Sequence, residues 1–170
     1  MAKIGLFFGS TEGNTERIAG KVQAAFGGED VVALHNVESA SADDMAEYEI
    51  VILASSTWEI GELQEDWDNF IDELDDVEFD GKTVAFIGTG DADGYPDTFL
   101  DAMGLIYEKI SDKDIKLVGT WPTDDYEFED SKGLLDGKFL GLGIDEDNEK
   151  GKTDERIAAW VAQVKEEAGL

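Results

Sequence analysis

The chain has 170 residues, of which 42% are hydrophobic, and this is enough to bury a sizeable core in one domain. It contains no cysteine, which excludes disulfides, thiolate metal sites, iron–sulfur clusters and cysteine nucleophiles. Its 41 acidic and 13 basic residues give a net charge of −28, which makes nucleic acid and anionic membranes poor partners. Such an acid excess is typical of a highly soluble protein, of adaptation to a salty cytoplasm, or of a protein that attracts basic partners.

The N-terminal segment MAKIGLFFGSTEGNT lacks the long apolar core and the small-residue cleavage site of a signal peptide. No later stretch is long and apolar enough to span a membrane. We therefore expect a cytoplasmic protein without membrane insertion.

Strands and helices are predicted to alternate along the whole chain. Apolar runs predict strands at 3–8, 30–34, 49–54, 82–88 and 115–120. Apolar residues at helical spacing predict helices at 18–26, at 41–48 with Ser41 as N-cap, at 63–74, at 99–110 with Pro96 in its first turn, and from Thr153 onward. This alternation predicts the α/β class, with a doubly wound five-stranded parallel sheet and helices on both faces.

Residues 121–138 show no clear periodicity, and the apolar run at 139–144 again has the composition of a strand. We therefore predict that 121–138 are a long insertion that interrupts the fifth strand. Ligands of such sheets bind beyond the carboxyl ends of the strands, so the loops after the first, third and fourth strands are the candidate site.

The loop after the first strand, GSTEGNT at 9–15, has the chemistry of an anion site. Its spacing is close to that of a P-loop, but Gly13 and Asn14 stand where glycine and lysine are required, which argues against nucleotide hydrolysis. The hydroxyls of Ser10, Thr11 and Thr15, the Asn14 amide and the N–H groups of a helix N-terminus remain. Together they predict a site for a phosphate monoester.

An aromatic residue stands in each of the other two loops. Trp58 follows the third strand, and Tyr95 follows the fourth after a glycine-rich stretch. Either residue alone would be read as a packing residue. Combined with the phosphate site, the two aromatics predict a flat conjugated ligand with a phosphate tail.

Metal and hydrolase chemistry find little support. Asp91 could begin a calcium loop, but Ala102 stands where the EF-hand needs a glutamate. Residues 145–148 could hold a cation, although we expect a solvated loop there. His35 is the only histidine, expected at the surface or in packing, and no Ser-His-Asp or Cys-His set exists. The chemistry is therefore expected to belong to a cofactor.

The sequence resembles the long-chain branch of the flavodoxin family. The resemblance covers essentially the whole chain and is carried by GSTEGNT, STWEIGELQEDW, GTGDADGYPDTF and DSKGLLDGKFLGLGIDEDN. It implies a flavodoxin-like strand order of 2-1-3-4-5 and a single FMN-binding domain over residues 1–170. It further implies a low-potential one-electron carrier, not an enzyme, whose non-covalently bound FMN shuttles between semiquinone and hydroquinone.

The resemblance also implies roles for individual residues. Trp58 and Tyr95 would sandwich the isoalloxazine, with Tyr95 on the outer face, and Asp147 would lie near the ribityl chain. The phosphate would be held by Ser10, Thr11, Glu12, Gly13, Asn14 and Thr15, with the Glu12 carboxylate pointing outward. The polar edge of the ring would meet Ser56, Thr57, Glu59, Ile60, Gly61, Thr89, Gly90 and Asp91. Thr98 would also contact the cofactor, whereas the side chain of Leu100 would not.

Family resemblance implies a monomer that docks, through acidic residues between 62 and 80, on basic redox partners such as ferredoxin-NADP reductase or photosystem I. The insertion would contact partners rather than the flavin. The alternative is an FMN-dependent NAD(P)H:quinone reductase of the same fold, which usually forms a tetramer. A response-regulator receiver is disfavoured because Ala54-Ser-Ser stands where that class needs an aspartate.

Overall fold

The computed structural model describes residues 2–9, 13–58 (for Trp58 the backbone alone) and 62–170. The strands are β1 (Ile4–Phe8), β2 (Val32–Asn36), β3 (Ile50–Trp58), β4 (Glu62–Leu63), β5 (Thr83–Thr89), β6 (Lys116–Leu117), β7 (Leu134–Leu135), β8 (Lys138–Phe139) and β9 (Leu142–Ile144). The α-helices are α1 (Asn14–Phe26), α2 (Ala42–Ala46), α3 (Glu65–Phe70), α4 (Asp101–Ile110) and α5 (Thr153–Ala168). Within these described residues, no helix is long and apolar enough to cross a membrane.

The central sheet confirms the predicted topology. Its order is β2-β1-β3-β5-β6, with parallel pairing throughout, and β9 also pairs with β5 in parallel. The predicted fourth strand is β5, because the two-residue β4 precedes it and pairs antiparallel to the end of β3. The order 2-1-3-4-5 is therefore correct.

The fifth strand is interrupted, as predicted. β6 pairs with the start of β5, where Thr83 faces Lys116, and β9 pairs with its end, where Thr89 faces Ile144. The chain leaves the sheet between β6 and β9 and forms the short β7–β8 hairpin there. β6 and β9 therefore occupy the same edge of β5, one at its start and one at its end, although the insertion separates them in the sequence.

The core lies on both faces of the sheet, which explains why the strands are continuously apolar. In β1, Ile4, Leu6 and Phe8 pack with α1 and α5, whereas Phe7 packs on the opposite face with α2, α3 and α4. His35 of β2 also serves packing, because its ring stacks on Phe7 at 4.6 Å and its Nε2 lies 2.8 Å from the Tyr48 hydroxyl. The interpretation of His35 as a packing residue is confirmed.

Some predicted boundaries are wrong for local reasons. The second strand runs over Val32–Asn36 rather than 30–34, because the N–H groups of Val31 and Val32 bond to the carbonyl of Gly28 and close a turn. The helix predicted at 63–74 is divided: Gln64 caps α3 with its side chain, and a 3₁₀ helix follows over Ile71–Asp76. In this 3₁₀ helix, residues three apart lie on the same side, and Asp72 and Asp75 both pair with Lys109 of α4.

Two predicted helix starts have opposite outcomes. Ser41 is the N-cap of α2 and forms a reciprocal capping box with Asp44, as expected. Pro96 does not lie in the first turn of α4, because Leu100 adopts a left-handed φ of 62° and the helix begins only at Asp101. The Pro96 carbonyl instead accepts hydrogen bonds from Glu129 and Asp130 of the insertion.

Candidate functional site

The N-terminus of α1 lies at the carboxyl end of β1. Gly13 precedes it with a left-handed φ of 88°, a conformation that glycine adopts without steric cost. Thr15 is buried, and its Oγ1 lies 3.4 Å from Oγ1 of Thr89 at the end of β5. The start of α1 and the end of β5 therefore meet at hydroxyl groups, at the edge of the sheet where we expected the loops after the first and fourth predicted strands.

The end of β3 lies between these two loops. Ser56 is in register with Thr89, which places both at the same edge of the sheet. The Thr57 Oγ1 accepts a hydrogen bond from the Ala102 N–H at 3.1 Å, so this side chain holds the first turn of α4. The backbone of Trp58 pairs with Glu62, and nothing is described of its side chain.

The loop after β5 is a set of tight turns around Asp91. Gly90 N–H donates to the Ile144 carbonyl at 3.0 Å, and Tyr95 N–H donates to the Asp91 carbonyl at 2.9 Å. The Asp91 Oδ1 accepts from Gly94 N–H at 2.8 Å, and this backbone hydrogen bond lowers the pKa of the carboxyl below its ordinary value. The Tyr95 side chain is 43% exposed, which is high for a large aromatic residue and leaves its ring accessible.

Thr98 and Leu100 lie between this loop and α4. The Oγ1 of Thr98 is a buried polar atom without a hydrogen-bond partner among the described residues. Leu100 is fully buried and fills the space above two glycines: a Cβ on Gly143 would lie 2.7 Å from its Cδ1, and one on Gly88 would lie 3.2 Å from its Cδ2. Buried hydroxyl groups are normally hydrogen-bonded, so Thr98 Oγ1 is a candidate for contact with a polar ligand atom.

The segment after β9 is only partly the solvated loop that we expected. Asp145 is only 1% exposed, and its carboxylate accepts hydrogen bonds from the N–H groups of Ala92 and Asn148, each at 3.1 Å. Asn148 Nδ2 donates to Asp145 and to Asp91, the latter at 2.8 Å. Carboxylate oxygens of Asp91, Asp145 and Asp147 lie within 4.8 Å of one another. The solvated-loop interpretation was therefore wrong for Asp145, which ties the loop after β9 to the loop after β5, whereas Asp147 and Asn148 are exposed as expected.

The described part of the site thus brings together Gly13, Asn14, Thr15, Ser56, Thr57, Thr89, Gly90, Asp91, Tyr95, Thr98 and Asp147 at one end of the sheet. Other predicted contacts lie outside the described residues, namely Ser10, Thr11, Glu12, Glu59, Ile60 and Gly61. Sequence reasoning missed Asp145 and Asn148 as residues that organise the site. The signal was present in the carboxylate-rich DEDN that directly follows a strand.

Comparisons with known proteins agree with this architecture. The family model described as Flavodoxin matches residues 6–160. A flavodoxin of Nostoc sp. is 53% identical over 168 residues, covering 99% of this chain and 98% of that protein. Flavodoxin 1 of Escherichia coli is 45% identical, covering 100% of this chain and 97% of its own.

A solved structure is similar over almost the same extent. The flavodoxin of Fusobacterium nucleatum, bound to flavin mononucleotide, superposes with a TM-score of 0.91 at 29% identity and covers 98% of this chain and 99% of that one. The family match, the strand order and the identities over nearly the whole chain all agree. This chain therefore belongs to the flavodoxin family.

Proposed function

We propose that this protein is a low-potential one-electron carrier in which residues 1–170 form a single domain that binds one FMN non-covalently. It is an electron-transfer protein rather than an enzyme, as its family membership indicates. Its length and its interrupted fifth strand agree with the long-chain branch. When bound, FMN supplies the redox chemistry, and the protein supplies binding, orientation and electrostatics.

The phosphate of FMN is proposed to bind at the N-terminus of α1. The N–H groups of the first helical turn and the helix dipole favour an anion there, and Gly13 leaves open space where a side chain would stand. Ser10, Thr11, Asn14 and Thr15 would add side-chain donors. The buried position of Thr15 beside Thr89 supports this proposal.

The ring of FMN is proposed to lie against the end of β3, the segment 59–61 and the loop after β5. Tyr95 is available to stack on its outer face because its ring is exposed, and Trp58 would stack on the other. The unpartnered Thr98 Oγ1 is the observation that carries this placement, because a flavin edge presents hydrogen-bonding groups and satisfies it. Backbone groups of Ser56, Thr57, Thr89, Gly90 and Asp91, with 59–61, would complete the polar edge.

Nearby carboxylates are proposed to lower the reduction potential. Reduction adds negative charge to the cofactor, and Asp91 and Asp147 lie close together at this end of the sheet. Like charge raises the free energy of an anionic cofactor in a partly dehydrated site. We expect the lower of the two one-electron potentials to lie well below that of free FMN.

The partners are proposed to be basic redox proteins, such as ferredoxin-NADP reductase or photosystem I, and the protein is proposed to be a cytoplasmic monomer. The 3₁₀ helix and α3 carry a dense set of exposed carboxylates that would steer a positively charged surface toward the protein. Electron-transfer rates with a basic reductase are expected to fall as ionic strength rises. Rates independent of salt would contradict this docking surface.

Two measurements test the function. FMN is added to the apoprotein, and absorption is followed during stepwise anaerobic reduction; two resolved one-electron steps support the carrier. A protein that does not bind FMN would refute it. Continuous NAD(P)H oxidation with a quinone by the pure holoprotein would instead favour the quinone reductase.

The Thr98 contact has its own test. Thr98→Val replaces the hydroxyl with a methyl group of similar size, so it should weaken FMN and riboflavin binding alike, whereas Thr98→Ser should retain it. The same Val variant should leave the apoprotein as stable or more stable, because the unpartnered hydroxyl is removed. Unchanged flavin affinity would show that Thr98 does not contact the ring.

A further inference from the structure

Arg17 links the proposed phosphate site to a distant part of the chain. It lies one turn into α1, where its Nη1 donates to Oδ1 of Asn14 at 2.9 Å and its Nη2 pairs with Glu146. A guanidinium can only donate, so the atom that it contacts on Asn14 must be the amide oxygen. The other end of that amide, Nδ2, can only donate.

Glu146 is itself held in place from the opposite side. Its Oε2 accepts a hydrogen bond from Thr153 Oγ1 at 2.8 Å, at the first residue of α5. The Glu146 side chain is 11% exposed and the Thr153 residue is buried, whereas the Arg17 side chain is 43% exposed. The flexible arginine is therefore anchored by a carboxylate that is fixed in the fold.

We infer that Arg17 is a positioning residue for the phosphate, and this inference rests on the proposed function. By holding Oδ1 of Asn14, Arg17 fixes the amide so that Nδ2 faces the anion at the start of α1. The positive charge of Arg17 is neutralised by Glu146, so it acts on the phosphate through the orientation of Asn14. The site thereby gains a fixed donor where a P-loop would carry a lysine.

The competing explanation is that Arg17 attracts the phosphate directly with its charge. The two explanations predict opposite changes in FMN affinity when Glu146 is replaced by leucine. Direct attraction predicts tighter FMN binding, because the neutralising carboxylate is gone. Positioning predicts weaker binding, because Arg17 loses its anchor and the Asn14 amide becomes free to rotate.

The test compares FMN with riboflavin, which lacks the phosphate, by flavin fluorescence on the apoprotein. Arg17→Gln should weaken FMN binding about ten- to a hundredfold, the size expected for one hydrogen bond to a charged group, and leave riboflavin binding within about twofold. The matched control is Lys21→Gln, which removes the same charge one turn later on α1, where Lys21 pairs with Asp154. It should change neither affinity by more than about twofold.

A double-mutant cycle with Asn14 tests whether Arg17 affects phosphate binding through the Asn14 amide. In an Asn14→Ala background, Arg17→Gln should have no further effect on FMN binding. An effect that persists there, equal losses for FMN and riboflavin, or tighter FMN binding in Glu146→Leu would each overturn the inference. Failure of the wild-type protein to bind FMN would refute the proposed function instead, and urea unfolding of each apoprotein separates lost affinity from lost folding.

Discussion

Tyr126 should contribute about 2 kcal/mol to stability through its hydroxyl alone. The residue is 8% exposed, its hydroxyl donates to the Gly143 carbonyl of β9 at 2.6 Å, and Trp121 Nε1 donates to it at 2.9 Å. Tyr126→Phe keeps the ring packing but leaves the buried Gly143 carbonyl without this donor. Such a loss costs about 1–3 kcal/mol, which shifts the melting temperature by about 2–4 °C per kcal/mol in a chain of this size.

The pH dependence of the same variant provides a sharper test. Burial raises the pKa of Tyr126 from 10.0 to about 12, so between these values the unfolded chain loses the proton while the folded chain keeps it. The unfolded state then binds fewer protons, and the free energy of unfolding of the wild type falls by about 1.4 kcal/mol for each pH unit above 10. The phenylalanine variant has no such loss. The difference between the two proteins should therefore shrink from about 2 kcal/mol at pH 7 to about 0.6 kcal/mol at pH 11.

Urea unfolding of the apoproteins by circular dichroism at both pH values measures this difference. Tyr107→Phe is the matched control, because Tyr107 is a half-buried tyrosine on α4 whose ring packs edge-on against Phe86. A cost of less than about 0.5 kcal/mol for Tyr126→Phe at pH 7 would show that the hydroxyl does not stabilise the fold as expected. A difference between wild type and variant that stays constant up to pH 11 would show that burial does not raise the pKa of Tyr126.

Three further predictions can be checked with single substitutions. Ser41→Ala removes the capping box of α2 and should lower the free energy of unfolding by about 1 kcal/mol, measured by urea titration. Asp91→Asn should be less stable than the wild type at pH 7, by thermal unfolding, and this difference should shrink as the pH falls below 3.8, because the lowered pKa of Asp91 contributes stability only while the folded carboxyl is ionised. The family resemblance implies that the peptide bond between Glu59 and Ile60 flips when the flavin is reduced, and a non-glycine residue at the resulting positive φ costs about 1–2 kcal/mol. Glu59→Gly should therefore separate the two one-electron potentials of the holoprotein further, and an unchanged separation in a redox titration would contradict this.

The strand order could be predicted because its signals are local and strong. β1, β3 and β5 are apolar on both faces, and each is followed by a segment with helical periodicity or helix-capping residues. The start of α4 could not be predicted, because leucine rarely adopts a positive φ. At Leu100 the side chain fills the space above Gly88 and Gly143, and this contact across the sheet outweighs the local preference.

The organisation of the site depends on contacts between residues far apart in the sequence. Asp145 has the composition of a solvated loop when only its neighbours are considered, yet it accepts a hydrogen bond from Ala92 and is buried. Arg17 has no recognisable motif, and its pairing with Glu146 spans 129 positions of the chain. Patterns within a window of the sequence predict elements, but they cannot predict which loops meet.

A protein with a net charge of −28 can bind a phosphate dianion because repulsion by surface carboxylates is screened with distance, whereas hydrogen bonds act at contact. Charges on an exposed surface are screened within about 8 Å at physiological ionic strength, so distant carboxylates act weakly on a phosphate at the start of α1. Hydrogen bonds from N–H groups, hydroxyls and the Asn14 amide act at contact distance and need no net cation. With Arg17 neutralised by Glu146, the proposed phosphate site leaves the acidic character of the surface intact for a basic partner. The affinity for FMN should therefore depend much less on salt than the rate of electron transfer to that partner.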